Sequence, residues 1–391
     1  MSFNPTVPFN DLPDLPPATE VETKAVLKAC INARDALGRL NTAIQRLPNP
    51  DVLIRPFSLQ EARDSSAIEN IVTTDDALFA QSQLPFETAD PAVKEAMRYQ
   101  QALYDGFRKL SQRPIGTRMA IDICRAIKGY EIDVRKVPGT TIKNVANGEV
   151  IYTPPAGEDV IRDKLANWEK FLHGDSELDP IVKLAIQHYQ FEAIHPFGDG
   201  NGRTGRVLNI LYLIENGLLD LPVLYLSRQI LATRSVYYEL LLRVSSAQEW
   251  TPWILYFSTS VAMSAYKTTV KAWQIQALMQ HTDETIHSKA PKIASAELLT
   301  VLFANPYCRI ADLIQIGIAK RQAASQYLKS LVEIGILEVT KVGREKIFLH
   351  PKFHAVLTGS DESIKTITKY PLSSTDVPVP LFSEHPDKSK Q

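Results

Sequence analysis

The chain has 391 residues, of which 45% are hydrophobic and 22% charged, with a formal net charge of −1. That is folded-protein composition with material for two or three domains, and it excludes a chain too polar to form a core. Near-neutral charge gives no global field for nucleic acid or a membrane surface, so any basic surface must be local. Cys30, Cys124 and Cys308 are scattered without metal-ligand spacing and read as buried free thiols in a reducing compartment. No stretch approaches the ~18–20 apolar residues of a membrane span, and the N-terminus lacks a basic region followed by an apolar run. The expected location is the cytoplasm, with no membrane partner.

The first 17 residues hold five prolines and read as an extended arm. Helical periodicity runs from about Thr19 to Arg46 and stops at Pro48 and Pro50. Further helices are predicted over 58–70, 91–113 and 116–126. From Val134 to Tyr152 the chain is β-branched and turn-rich, and Asn147-Gly148 signals a hairpin. Helical spacing returns over 157–172 and 180–194, then over 204–216 with Gly217 just past the end. Helices over 226–244 and 251–281 follow, and the polar stretch 282–292 reads as a linker. Three short helices are expected at 294–304, 309–316 and 320–334, with strands at 337–342 and 346–350. The last ~35 residues are Ser-, Thr-, Pro-, Lys- and Asp-rich and read as a disordered tail. No internal repeat is visible. The fold class is mostly α.

The stretch 195–206 reads His-Pro-Phe-Gly-Asp-Gly-Asn-Gly-Arg-Thr-Gly-Arg. Glycines let backbone N–H groups approach an anion closely. Arginines supply fixed forks for phosphate oxygens. A carboxylate can hold the Mg²⁺ that accompanies a nucleoside polyphosphate, and a histidine can take a proton near neutral pH. The stretch also joins one helix end to the next helix start, where N–H groups and the dipole favour an anion. It reads as a polyphosphate site with a base beside it.

The same residues resemble the Fic family signature, HPFx[D/E]GNGRxxR, at every fixed position: His195, Pro196, Phe197, Asp199, Gly200, Asn201, Gly202, Arg203 and Arg206. The resemblance implies a protein adenylyltransferase using ATP and Mg²⁺. His195 is then the base that deprotonates a Ser, Thr or Tyr hydroxyl of a target protein, or of the chain itself, for attack on the ATP α-phosphate. Asp199 holds Mg²⁺, while Gly200, Asn201, Gly202, Arg203, Gly205 and Arg206 bind the nucleotide. Tyr237 and Tyr238, after Arg234, resemble adenine-side tyrosines. The segment Ile142–Pro155 resembles the family's flap, with Val150, Ile151 and Tyr152 docking the target backbone by strand addition.

A second pattern, Ser65-Ser66-Ala67-Ile68-Glu69-Asn70, resembles the family's inhibitory sequence [S/T]xxxE[G/N], fixed at Ser65, Glu69 and Asn70. Ser66 to Glu69 also spells a capping box, yet the preceding residues already look helical. As an inhibitor, Glu69 pairs with Arg206 and takes the γ-phosphate's place. The resemblance implies a Fic helical core with a β-hairpin flap, an N-terminal helical extension and a C-terminal winged helix. The units are an arm and extension (1–90), the core (91–281), a linker (282–292), a winged-helix-like module (293–355) and the tail (356–391). On that module Lys320, Arg321, Gln322, Gln326, Lys329, Lys341, Arg344 and Lys346 are candidates for DNA phosphates. Two other functions stay open: a Fic enzyme moving another phosphate-containing group, and a DNA-binding regulator whose core senses nucleotide. A homodimer is also left open.

Overall fold

The computed structural model describes residues 3–47, 49–143, 147–342 and 345–359. The N-terminal arm is extended and docked. Leu12 and Leu15 are buried, the Phe3 ring stacks on Tyr152 at 6.2 Å between centroids, and the Phe9 N–H donates to the Thr153 carbonyl at 2.9 Å. Helix α1 (Lys24–Gln45) starts where the Thr23 hydroxyl accepts from the Val26 N–H. Helix α2 (Ile54–Ile68) begins four residues before the expected start, with Pro56 in the first turn, where a missing N–H costs nothing. Helix α3 (Asp75–Gln81), capped by Thr74, was not expected. Helix α4 (Pro91–Lys109) follows the Asp90 cap with proline at its first position, and α5 (Thr117–Lys128) closes on Gly129 at φ 75°.

Strands β1 (Ile142–Lys143) and β2 (Val150–Tyr152) pair antiparallel, Ile142 opposite Tyr152 and Lys143 opposite Val150. Residues 144–146 of the expected hairpin segment lie outside the described residues. Helix α6 (Glu158–His173) leads to α7 (Pro180–Ile194), whose bounds agree with the periodicity, and to α8 (Asn201–Glu215). The single helix expected over 226–244 is two, α9 (Leu226–Ala232) and α10 (Arg234–Ala247). The break is at Thr233, whose φ is −121° and whose hydroxyl donates to the Gln229 carbonyl at 2.9 Å, competing with the helical ladder.

Helix α11 (Trp250–Lys289) runs for 40 residues and corrects the linker expected at 282–292. Its polar residues there occupy an outer face, while Thr282 and Ile286 remain buried. Helix α1 lies along it, and α7, α9 and α10 also pack on it. Beyond it come α12 (Ala296–Ala304), β3 (Tyr307–Cys308), α13 (Ile310–Gln315), α14 (Arg321–Glu333), β4 (Glu338–Val342), β5 (Glu345–Leu349) and α15 (Pro351–Thr358). The sheet has three strands in the order β3-β5-β4, one more than expected. The polar tail was expected from residue 356, but α15 runs to Thr358. It buries Phe353, Val356 and Leu357, packs on α11, and ends at Gly359 with φ 70°. The rest of the tail, 360–391, lies outside the described residues. One apolar core extends from the arm through this C-terminal module, and the three cysteines are buried and free within it. No helix among the described residues is long and apolar enough to cross a membrane.

Candidate active site

The site is built on the bend between α7 and α8. Helix α7 ends at His195, which caps it in the left-handed conformation at φ 50°. A non-glycine residue pays roughly 1–2 kcal/mol for that conformation, and Arg135 holds it in place. The Arg135 Nε donates to the His195 carbonyl at 2.8 Å, its Nη2 to the Ile194 carbonyl at 3.3 Å and to the Pro155 carbonyl, and its backbone N–H to the Pro196 carbonyl at 2.8 Å. A buried cation thus satisfies the orphan carbonyls of a helix C-terminus. Arg135→Met is expected to lower stability by about 2–4 kcal/mol, read from the urea midpoint at unchanged m-value.

The loop itself is braced from within. The Asn201 side chain accepts from the Phe197 N–H and donates to the Phe197 carbonyl, both at 2.8 Å, while the Phe197 ring is buried against Phe191. Gly200, at φ 88°, is the N-cap of α8 and provides no side-chain bond to it. The first-turn N–H groups of α8 therefore face an anion site without a built-in acceptor.

Both arginines are buried. Arg203, 2% exposed, pairs with Glu95 and, at 2.8 Å, with Asp199. Arg206, 1% exposed, donates from Nε to the Ser65 hydroxyl at 2.8 Å, and from Nη2 to the Ser65 carbonyl and to Glu69 Oε1, each at 2.9 Å. Burial pushes the Glu69 carboxyl up, but Arg206, helped by Arg203 and His195, more than reverses this and holds it below its ordinary value. Glu69 lies so close over the loop that a Cβ on Gly202 would stand 2.2 Å from its Oε1. A larger residue there would push the Glu69 carboxylate and the Arg206 guanidinium from these positions. Asn70, at φ 63°, turns the chain after α2 and accepts from Arg234 at 2.9 Å.

Glu69, His195, Gly202 and Arg206 share a cavity of about 300 Å³ with Ile142 and Ile151 of the hairpin, Tyr238, and Glu192. Burial, and then the Arg135 charge, lower the His195 imidazole to about 4 against an opposing pull from Glu69. It is neutral at neutral pH and competent to accept a proton, and the Glu192 backbone acts on the ring as a hydrogen-bond acceptor. Burial pushes the Glu192 carboxyl up to about 8, and its Oε1 has no hydrogen-bond partner among the described residues.

Comparison with known proteins matches three family models along the chain: "Fic/DOC family N-terminal" over residues 27–108, "Fic/DOC family" over 114–213, and "Protein adenylyltransferase SoFic-like, C-terminal domain" over 278–353. The chain carries Fic/DOC domains followed by a SoFic-like C-terminal domain. It is 31% identical over 150 residues to the protein adenylyltransferase fic-1 of Caenorhabditis briggsae, covering 37% of this chain and 26% of that one. It is 48% identical over 56 residues to a probable protein adenylyltransferase of Aquifex aeolicus, 14% of this chain and 17% of that one. The chain thus spans about a quarter or less of the length of these curated relatives. In fold it is similar to the crystal structure of a Fic family protein from Desulfovibrio desulfuricans G20, with a TM-score of 0.55, 18% identity, and coverage of 86% of this chain and 98% of that one.

Within this Fic/DOC site the residues expected from sequence fall into two groups. His195, Gly202, Arg206, Glu69, Ile151 and Tyr238 border the cavity, and the Arg234 guanidinium lies over the Tyr238 ring at 5.7 Å. Ser65 stands behind, on Arg206. Others do different work. The Asn201 side chain is spent on Phe197. Gly205 faces α7, where a Cβ would meet Glu192 Oε1 at 2.5 Å, so it is a helix-contact glycine. The Tyr237 ring reaches the cavity, but its hydroxyl is bonded to His188 Nε2 at 2.9 Å in the core. Tyr152 also borders the cavity, but it is buried and donates its hydroxyl to the Ala193 carbonyl at 2.8 Å, which anchors the hairpin; Val150 is half-buried and outside the cavity lining. Missed entirely were Arg135, Glu95, Lys128 and Glu192. Of these only Glu192 carried a signal, its place three residues before His195 on the last turn of α7.

Asp199 is 55% exposed, with one oxygen on Arg203 and the other 2.5 Å from Lys128 Nζ. No cluster of three or more His, Cys, Asp or Glu side chains suited to a metal occurs among the described residues. A Mg²⁺ bound chiefly through phosphate oxygens asks only one or two carboxylates of the protein, and Asp199 fits that role. On the C-terminal module Lys320, Arg321, Gln322, Gln326, Lys329, Lys341 and Lys346 are exposed, and Arg344 lies outside the described residues.

Proposed function

We propose that this chain transfers AMP from ATP to a Ser, Thr or Tyr hydroxyl of a protein, itself included, and that Glu69 restrains the activity. The observation that carries this is one cavity bordered by a neutral imidazole, a buried guanidinium and the uncapped N-terminus of α8. The acceptor hydroxyl gives its proton to His195. Its oxygen bonds to the α-phosphorus, the bond from that phosphorus to the bridging oxygen breaks, and pyrophosphate leaves with the electron pair. The α8 N–H groups and Arg206 hold phosphate oxygens and stabilise charge that develops during transfer. Mg²⁺ held by Asp199 would draw negative charge from the phosphates. Tyr238 flanks the nucleotide base, and the β1–β2 hairpin offers an edge to the target's backbone. Glu69 occupies the guanidinium that the phosphates need, which is the basis of the restraint.

The names of the relatives support the reaction class, and the Glu69–Arg206 pair supports the restraint. ATP labelled at the α-phosphate should mark protein, and the rate of marking should fall on the order of 10²–10⁴-fold with His195→Ala. Label arriving only from the γ-phosphate would mean phosphorylation and defeat the proposal.

A further inference from the structure

Four charged side chains, from α4, α5, α8 and the bend before α8, close a ring beside the loop. Lys128, the last residue of α5, places its Nζ 2.5 Å from Asp199 Oδ2 and 3.4 Å from Glu95 Oε2. Arg203 pairs with Asp199 at 2.8 Å and with Glu95. Signs alternate around the ring, so two cations share two carboxylates. Arg203, Lys128 and Glu95 are largely covered, with side-chain exposures of 2%, 12% and 14%, against 55% for Asp199. Asp199 is therefore the member open to a dissolved ion.

The local backbone lets Lys128 reach this point. Its stem passes close to Gly200, where a Cβ would stand 3.5 Å from Lys128 Cγ and Cδ. Helix α5 closes on Gly129, and the Lys128 carbonyl accepts from Arg98 Nη1 at 3.4 Å. The backbone is tied down, while the ammonium rides on a four-carbon stem between two carboxylates. An ammonium on a carboxylate oxygen repels a divalent ion and competes for the same lone pairs. One carboxylate is a weak hold for Mg²⁺, which takes its other ligands from water or phosphates. A bare ion gains little at Asp199 with which to displace Lys128. An ion carried by a nucleotide brings phosphate ligands with it, and Glu95 already stands where it can receive the displaced ammonium.

We propose that Lys128 is a placeholder cation: it occupies Asp199 until a nucleotide-borne divalent ion arrives, then passes to Glu95, so that metal enters only together with nucleotide. Lys128 is thus a positioning residue, and the inference rests on the reading that Asp199 holds Mg²⁺.

The test titrates the full chain with Mn²⁺, standing in for Mg²⁺, without nucleotide, and follows the paramagnetic signal of the free ion. Lys128→Met should bind Mn²⁺ about tenfold more tightly than wild type, the order expected when one nearby like charge is removed. Lys128→Gln should act in the same direction. Asp199→Asn added to Lys128→Met should cancel the gain. Folded Lys128→Met and Lys128→Gln that bind Mn²⁺ no more tightly than wild type would overturn the proposal, and so would a gain that survives Asp199→Asn. The two ways of failing separate. If Asp199→Asn leaves the Mg²⁺ requirement of AMP transfer unchanged, the metal assignment falls and the placeholder with it. If that requirement rises while the Lys128 variants bind Mn²⁺ as wild type does, only the placeholder falls.

Discussion

Glu69→Gly is expected to raise AMP transfer on the order of 10²-fold, the scale on which one preorganised charge contact acts in a transition state. In the resting structure Arg206 bonds Ser65 twice and Glu69 once. Removing the carboxylate leaves the Ser65 bonds, which preserve the guanidinium's aim, and frees the face that phosphates would take. The same change has an opposite effect on stability. Arg206 is 1% exposed, and a buried charge stripped of its partner costs about 3 kcal/mol. ATP should return most of that, since a ligand at 100 times its Kd contributes about 2.7 kcal/mol. The variant should therefore be faster, less stable alone, and restored by nucleotide. Initial rates with α-labelled ATP, and urea unfolding with and without ATP, check all three. A folded variant that is no faster than wild type removes the inhibitory assignment.

His195→Ala is expected to slow transfer on the order of 10²–10⁴-fold, the usual contribution of a general base, with nucleotide affinity nearly unchanged. The pH dependence carries a sign. The imidazole is lowered to about 4 in the fold, against an ordinary value near 6.5. It is neutral through the physiological range, so its protonation should not slow the reaction until pH approaches 4. For stability, a lowered value means that the fold favours the neutral form. That contribution is whole above about 6.5 and is lost as pH falls toward 4. His188 and His350, both lowered to about 3 by burial, add loss in the same direction. Thermal unfolding of wild type should weaken from pH 6.5 downward, and His195→Ala should flatten part of that slope. An unchanged slope would show that this imidazole is not buried as described.

Local signals were readable because each element satisfied its own chemistry. The bounds of α7 follow from Asp179-Pro180 at one end and the left-handed His195 at the other. Glu69 and Arg206 are 137 positions apart, yet each was assigned from its own motif, and the fold brings them to 2.9 Å. What stayed hidden depends on partners remote in sequence. Nothing near Arg135 shows that it holds the carbonyls of a helix end 60 positions away. Strand β3 has only two residues and exists because β5 lies beside it. Asn201, Gly205 and Tyr152 are residue types that suit a ligand or a scaffold equally, and only packing decides between them. The polar run after residue 281 resembled a linker because the outward face of a long helix has the same composition as a loop.

That helix has a wider meaning. The similarity to the SoFic-like C-terminal domain begins at residue 278, in the last third of α11 and not at a joint. A rod that starts against the middle of α7, where Trp253 donates to the Ala185 carbonyl, and continues unbroken into the last module gives the two halves no hinge at that seam. Inheritance divides the chain there, while mechanics does not, and a displacement imposed at one end would be felt at the other as rigid leverage.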